Sequence, residues 1–173
     1  LTETYGCTGW DFPFEAHKAL GDWQTALGIN LRCQHLTWYT MEGEAKRDYP
    51  AGIHYHSPWW ALYPKVEDYF ARILSVMTRG REVRDLLVVH PVESAWVLCR
   101  RNWIDAKGWR PEIGELNQGF SEVRDTLLQN QIDYDYGNEV IMSRHARVIR
   151  GAGGPVLKVG KASYRAVVLP PMI

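Results

Sequence analysis

An α/β fold built on parallel sheets is expected from three features of the chain. A strand-like stretch, a helical stripe and a second strand-like stretch follow one another through the first forty residues. Two short apolar runs, at 86–89 and 166–169, read as buried strands, and helical periodicity separates them. Strand, helix, strand in this order is the crossover unit of a parallel sheet.

The elements follow in chain order. LTETYG opens as a short strand. In FPFEAHKALGDWQTALGIN, Ala16, Leu20, Trp23 and Leu27 recur at helical spacing, and Gly28 stands where a C-cap belongs. GINLRCQHLTWYTM has no glycine or proline after Gly28 and fits a buried strand. The loop EGEAKRDYPAGIHYHSPWW is punctuated by Pro50, Gly52 and Pro58, and long loops after parallel strands are where sites are built. A helix with Trp59, Tyr63, Val66, Phe70, Ile73 and Met77 on one stripe follows, with Pro64 in its first turns and Gly80 closing it. It reads as a bridge over 58–80. REVRDLLVVHP then enters a strand ending at His90-Pro91. A stripe at Phe120, Val123 and Leu127 marks another helix, IDYDYGNEVI another strand, GAGGP a hairpin or loop, and Ala166–Leu169 a last buried strand stopped by Pro170-Pro171. From residue 81 onward this is an open parallel sheet of the flavodoxin or Rossmann kind, and it is expected to be incomplete at residue 173.

Composition narrows the function classes. With 46% hydrophobic and 23% charged residues the chain is compositionally globular. Twenty basic and twenty acidic side chains cancel, which speaks against nucleic acid and anionic membrane surfaces as partners. No apolar run approaches the roughly 18 to 20 residues of a membrane helix, and no signal-peptide pattern is present. Cys7, Cys33 and Cys99 are odd in number and lack metal-ligand spacing, so they read as buried thiols.

Five of the eight Trp fall in the first sixty residues, interleaved with His17, His35, His54, His56 and several carboxylates. That mixture suits carbohydrate, whose flat C–H faces pack on aromatic rings while its hydroxyls need polar partners. An aromatic-rich core is the alternative. His54 and His56 at alternate positions would share one face of a strand, but a third ligand is missing and the metal reading is set aside. No cofactor is expected.

The words E-T-Y-G, Q-H-L, D-Y-F-A-R and Y-x-x-V-V-L-P-P, in this order and spacing, resemble the junction found in (β/α)8-barrel glycoside hydrolases. They are similar to the family 42 β-galactosidases and the family 106 α-L-rhamnosidases. In such enzymes the last two barrel strands pass through a helix into a flavodoxin-like domain, which is a trimerisation domain in the β-galactosidases. The resemblance implies that residues 1–57 are the C-terminal part of a catalytic barrel, 58–80 a linking helix and 81–173 an incomplete accessory domain through which a homo-oligomer could form.

It also implies roles. The carboxylate ending the seventh strand is the second catalytic group of these barrels, and the matching position is Glu3. In a retaining enzyme Glu3 would be the nucleophile, and in an inverting one the base that activates water. The general acid would end the fourth strand, outside this chain, so the fragment alone is expected to be inactive. Gln34 and His35, leaving the eighth strand, are implied as partners to sugar hydroxyls, Trp38 and Tyr39 as a site wall, and Trp59 as lining of the sugar cleft. Arg47 and Asp48 are implied to order their loop by ion pairing. Cys99 lacks the elbow of an amidotransferase nucleophile, the glycines at 151–154 do not follow a strand into a helix, and Asn138 and Glu139 sit at a strand end where fold analogy alone suggests a ligand. The rival reading is a non-catalytic α/β module that binds carbohydrate or serves oligomerisation.

Overall fold

The structure, a computed structural model, describes residues 1–44, 52–99, 104–105, 108–109, 111–151 and 153–172. The chain is mixed α/β with parallel sheets and divides into two units, Leu1–Arg81 and Glu82–Ile173.

The first unit is a βαβ layer with one further helix. Strand β1 (Thr2–Thr4) leads through a loop to helix α1 (Phe14–Ala26), which returns the chain to β2 (Arg32–Gln34). The strands pair in parallel, with Thr2 opposite Arg32, Glu3 opposite Cys33 and Thr4 opposite Gln34. Gly28, at φ 93°, makes the turn after the helix that a side chain would resist. After a 3-10 turn at Trp60–Leu62, helix α2 (Pro64–Met77) begins with Pro64 in its first turn, where a missing N–H leaves no bond unmade. Pro64 therefore starts the helix without kinking it.

Helix α2 lies in this first unit and packs on α1. Its expected stripe is buried only in its first half. Tyr63, Val66 and Phe70 form the core, with Phe14, Ile53 and Tyr69 against them, while Met77 is exposed. The expected stripe of α1 is not the buried one. His17, Gly21 and Thr25 are buried, whereas Trp23 and Leu27 are 59% and 46% exposed. The reason is contact distance: a Cβ added at Gly21 would lie 2.1 Å from Cζ of Phe70, so α1 presents its smallest residue to the ring of α2.

The second unit holds a three-stranded parallel sheet in the order β10 (Ala166–Val168), β3 (Leu86–His90), β6 (Tyr134–Asn138). Between β3 and β6 run α3 (Val92–Leu98), a short antiparallel pair β4 (Ile104–Asp105) and β5 (Gly108–Trp109), and α4 (Pro111–Gln129). The stripe of α4 extends the expected one backward, with Ile113, Leu116 and Leu127 buried. Leu87, Val88 and Val89 make the sheet's core. Beyond β6, α5 (Glu139–His145) is capped by the Asn138 side chain, which accepts from the Ile141 N–H. An antiparallel meander follows, β7 (Ala146–Gly151), β8 (Gly154–Val159) and β9 (Ala162–Tyr164), with the 151–154 glycines at its first hairpin.

The glycines at 151–154 form the hairpin, one of the two expectations for them, but the third strand of the meander is not foreseen by the reading of the second half as an open parallel sheet. The last strand also differs from expectation. Val167 and Leu169 are 42% and 66% exposed, so Ala166–Val168 is an edge strand and not a buried one. Among the described residues no helix is long and apolar enough to cross a membrane.

Candidate functional site

β1 and β2 run in parallel, so their carboxyl ends and the loops that leave them gather at one edge of the sheet. Parallel α/β layers place ligands at that edge. Successive strand residues face opposite sides, and laterally paired residues share a side. Thr2, Thr4, Arg32 and Gln34 therefore face one way, Glu3 and Cys33 the other.

The first face is covered by helices and is built around one ion pair. The Arg32 side chain, 2% exposed, donates from Nη2 to Oε1 of Glu67 at 3.1 Å, and Gln34 Nε2 donates to the same oxygen at 2.8 Å. The Arg32 guanidinium lies 3.7 Å from the Phe70 ring centre, a cation over an aromatic face. Its Nε and Nη1 have no hydrogen-bond partner, nor do the hydroxyls of Thr4, Thr25 and Tyr63. Beside this pair the Tyr5 hydroxyl donates to the His17 carbonyl at 3.1 Å, and His17 Nδ1 contacts the Pro13 carbonyl at 2.8 Å. Burial pushes the Tyr5 phenol up to about 12, with Arg32 drawing it down and Glu67 and Asp22 raising it. Burial raises the Tyr63 phenol as well, and the nearby Glu67 charge adds to that without accepting its proton in a well-formed hydrogen bond. His17 is held below its ordinary value, again by burial first.

The second face is open and bears the expected catalytic carboxylate. Glu3 is exposed there. A Cβ built on Gly6 would lie 2.7 Å from Glu3 Oε1 and 3.8 Å from His35 Cδ2, so the two side chains converge over the Gly6 backbone. The His35 N–H donates to the Thr4 carbonyl at 2.8 Å, which extends the ladder past β2 and holds the imidazole at the sheet's carboxyl edge. The following peptide, His35–Leu36, is cis. Comparison with family models, curated proteins and solved structures returns no match.

That geometry brings together some of the expected residues and separates others. Glu3 and His35 both reach the space over Gly6. Gln34 does not join them, because strand alternation turns it to the helix side, where Glu67 holds it. Trp38 lies against Gly52, whose added Cβ would stand 2.8 Å from the indole Cδ1. Tyr39 is fully exposed and walls nothing among the described residues. Trp59 does line a cavity, of about 280 Å³, with Trp10, Asp11, Phe12, Pro13 and Phe14, and its ring sits edge-on to Trp10 at 6.4 Å. Both loops of that cavity leave strand carboxyl ends.

Other expectations are corrected. Cys7 and Cys33 are exposed and Cys99 is partly so, hence they are not buried thiols. His54 and His56 sit in a turn with no strand, their rings tilted against that of Tyr55. Among the described residues no group of three His, Cys, Asp or Glu side chains could hold a metal ion. Arg47 and Asp48 lie outside the described residues. Sequence reading missed Arg32 and Glu67 altogether. The available signal was a charged residue inside an otherwise strand-like run, which demands a buried partner.

Proposed function

We propose that the chain contributes the carboxyl edge of a glycoside hydrolase's catalytic sheet, with Glu3 as the one catalytic carboxylate it supplies. On this reading β1 and β2 are the last strands of a (β/α)8 barrel, the helix-free face bearing Glu3 and Cys33 is the barrel's interior side, and Glu82–Ile173 is a flavodoxin-like accessory domain that serves assembly. The carrying observation is the convergence of Glu3 and His35 over Gly6, at the ends of two parallel strands and on the side away from the helices. A carboxylate so placed can attack an anomeric carbon or take a proton from water, and an imidazole beside it can hold a sugar hydroxyl. The Trp10 and Trp59 cavity at the same edge offers aromatic surface to a sugar ring. The general acid lies outside these residues, so no turnover is assigned to the chain by itself.

Glu3→Gln in the intact hydrolase tests the reading with aryl glycosides. Turnover should fall by roughly three orders of magnitude or more while sugar binding persists, since the amide keeps the shape and loses the charge. Undiminished turnover would sink it. For Glu3→Ala, azide should restore rate and give a glycosyl azide of inverted configuration, since it enters from the face that Glu3 serves; the anomer first released by the unaltered enzyme, retained or inverted, separates a nucleophile from a base. The rival, a module that binds carbohydrate and cleaves nothing, predicts no turnover to lose and an affinity indifferent to Glu3.

A further inference from the structure

A second cavity, of about 410 Å³, opens where β2 ends and α2 begins, on the helix side of the sheet. Its size suits one sugar ring. Gln34, Thr37, Trp60, Tyr63, Glu67 and Asp68 supply its chemistry. Trp60, 42% exposed, offers an accessible aromatic wall. Tyr63 is only 3% exposed, yet its hydroxyl lacks a hydrogen-bond partner. A buried phenol left unpartnered is costly unless a ligand or water completes it.

Charge decides which ligand fits. Glu67 is neutralised from beneath by Arg32, and its Oε1 already accepts from both Arg32 and Gln34. With Nε2 of Gln34 engaged by Glu67, the amide oxygen remains as an acceptor. The cavity thus presents acceptors on Gln34 and Asp68 and a hydroxyl donor on Tyr63 beside one flat ring, while the Thr37 hydroxyl donates to the Ile53 carbonyl at 3.5 Å. A cation would want acceptors alone and a second uncompensated carboxylate. Sugar hydroxyls, each both donor and acceptor, want the mixture.

We infer that this cavity is a non-catalytic saccharide site, in which a pyranose ring packs on Trp60 and its hydroxyls are read by Gln34, Asp68 and Tyr63. The site is separate from Glu3, which strand alternation places on the opposite face of the sheet. It goes beyond the hydrolase reading, because a chain that cleaves nothing would still bind.

Saturation-transfer NMR and calorimetry on the whole chain test it, with methyl β-D-galactopyranoside and methyl α-L-rhamnopyranoside as probes. At least one should bind, and Trp60→Ala should weaken it by up to about tenfold, the worth of one aromatic contact. Trp60→Phe should keep most of the affinity, which guards against a folding artefact. Asp68→Asn, at an exposed position, should weaken binding with the fold intact, and Glu3→Gln should change nothing. Three results overturn the inference: neither probe binds, binding depends on Glu3 and not on Trp60, or tetramethylammonium binds through Trp60 where the sugars do not. Loss of hydrolase activity in Glu3→Gln bears on the earlier reading alone.

Discussion

Two glycine-to-alanine changes, both inside helices, should move stability in opposite directions. On an isolated helix each would stabilise, since Ala exceeds Gly in helix propensity by about 0.8–1 kcal/mol. Gly114 of α4 meets that condition, because nothing lies within 4 Å of an added Cβ. Gly21 of α1 does not, for the added carbon would stand 2.1, 2.6 and 3.0 Å from three atoms of the Phe70 ring, where ordinary contact begins near 3.4 Å. The ring would have to retreat by about 1.3 Å. It is 1% exposed and has the Arg32 guanidinium on its face, so it has nowhere to go. Overpacking of that severity costs about 3 kcal/mol, the upper end of the usual range, and the propensity gain leaves a net loss of about 2 kcal/mol. For a unit of this size that is a fall of roughly 8–16 °C in melting temperature. Denaturant titration and thermal melts of Gly21→Ala and Gly114→Ala measure both, and Phe70→Leu should shrink the cost of Gly21→Ala by vacating the space. If Gly21→Ala proves as stable as the parent, the packing of α1 on α2 described above is wrong.

Gly6→Ala tests the open face, where the added Cβ at 2.7 Å meets Glu3 Oε1, the far end of a flexible side chain. Stability should therefore change by less than about 1 kcal/mol; if the proposed glycosidase role of Glu3 holds, turnover of the parent enzyme should fall by up to about 100-fold as the carboxylate is displaced, and unchanged turnover would count against that role. Glu67→Ala leaves the buried Arg32 guanidinium without its carboxylate, and because Glu67 is itself 42% exposed the loss in denaturant titration should be about 1–2 kcal/mol, which Arg32→Met with Glu67→Ala should largely recover. Burial holds folded-state His17 below the unfolded value near 6.5. Unfolding then takes up a proton in the interval between the two, so the stability contributed by neutral His17 is whole above about pH 6.5 and is lost as pH falls through the folded pKa. Melts across that range should show a slope that His17→Asn flattens.

Legibility in the sequence followed the range of the forces involved. Glu3 and His35 are nominated by the resemblance alone, and the parallel pairing of β1 with β2 puts both toward one edge of the sheet. Gln34 could not be placed, because one residue of register decides which face a strand side chain takes. The aromatic and histidine mixture of the first sixty residues was visible, but its division into a Trp10 and Trp59 cavity, a Trp60 cavity and a Tyr5, His17, Tyr63 core depended on contacts between distant segments. The α1 stripe shows the same limit: periodicity reports which side chains are apolar, and Trp23 and Leu27 are, yet the buried face is the one where Gly21 lets Phe70 approach.

The order of elements in the first unit and the helix ends at Gly28 and Pro64 were determined by local chemistry: turn residues, proline's missing N–H and the period of apolar residues act within a few positions of chain. The pairing of Arg32 with Glu67, the opposite facing of Glu3 and Gln34, and the space left beside Trp60 were decided only when strands and helices came together. Those features arise from side chains tens of residues apart competing for the same few ångströms, and no local pattern encodes the winner.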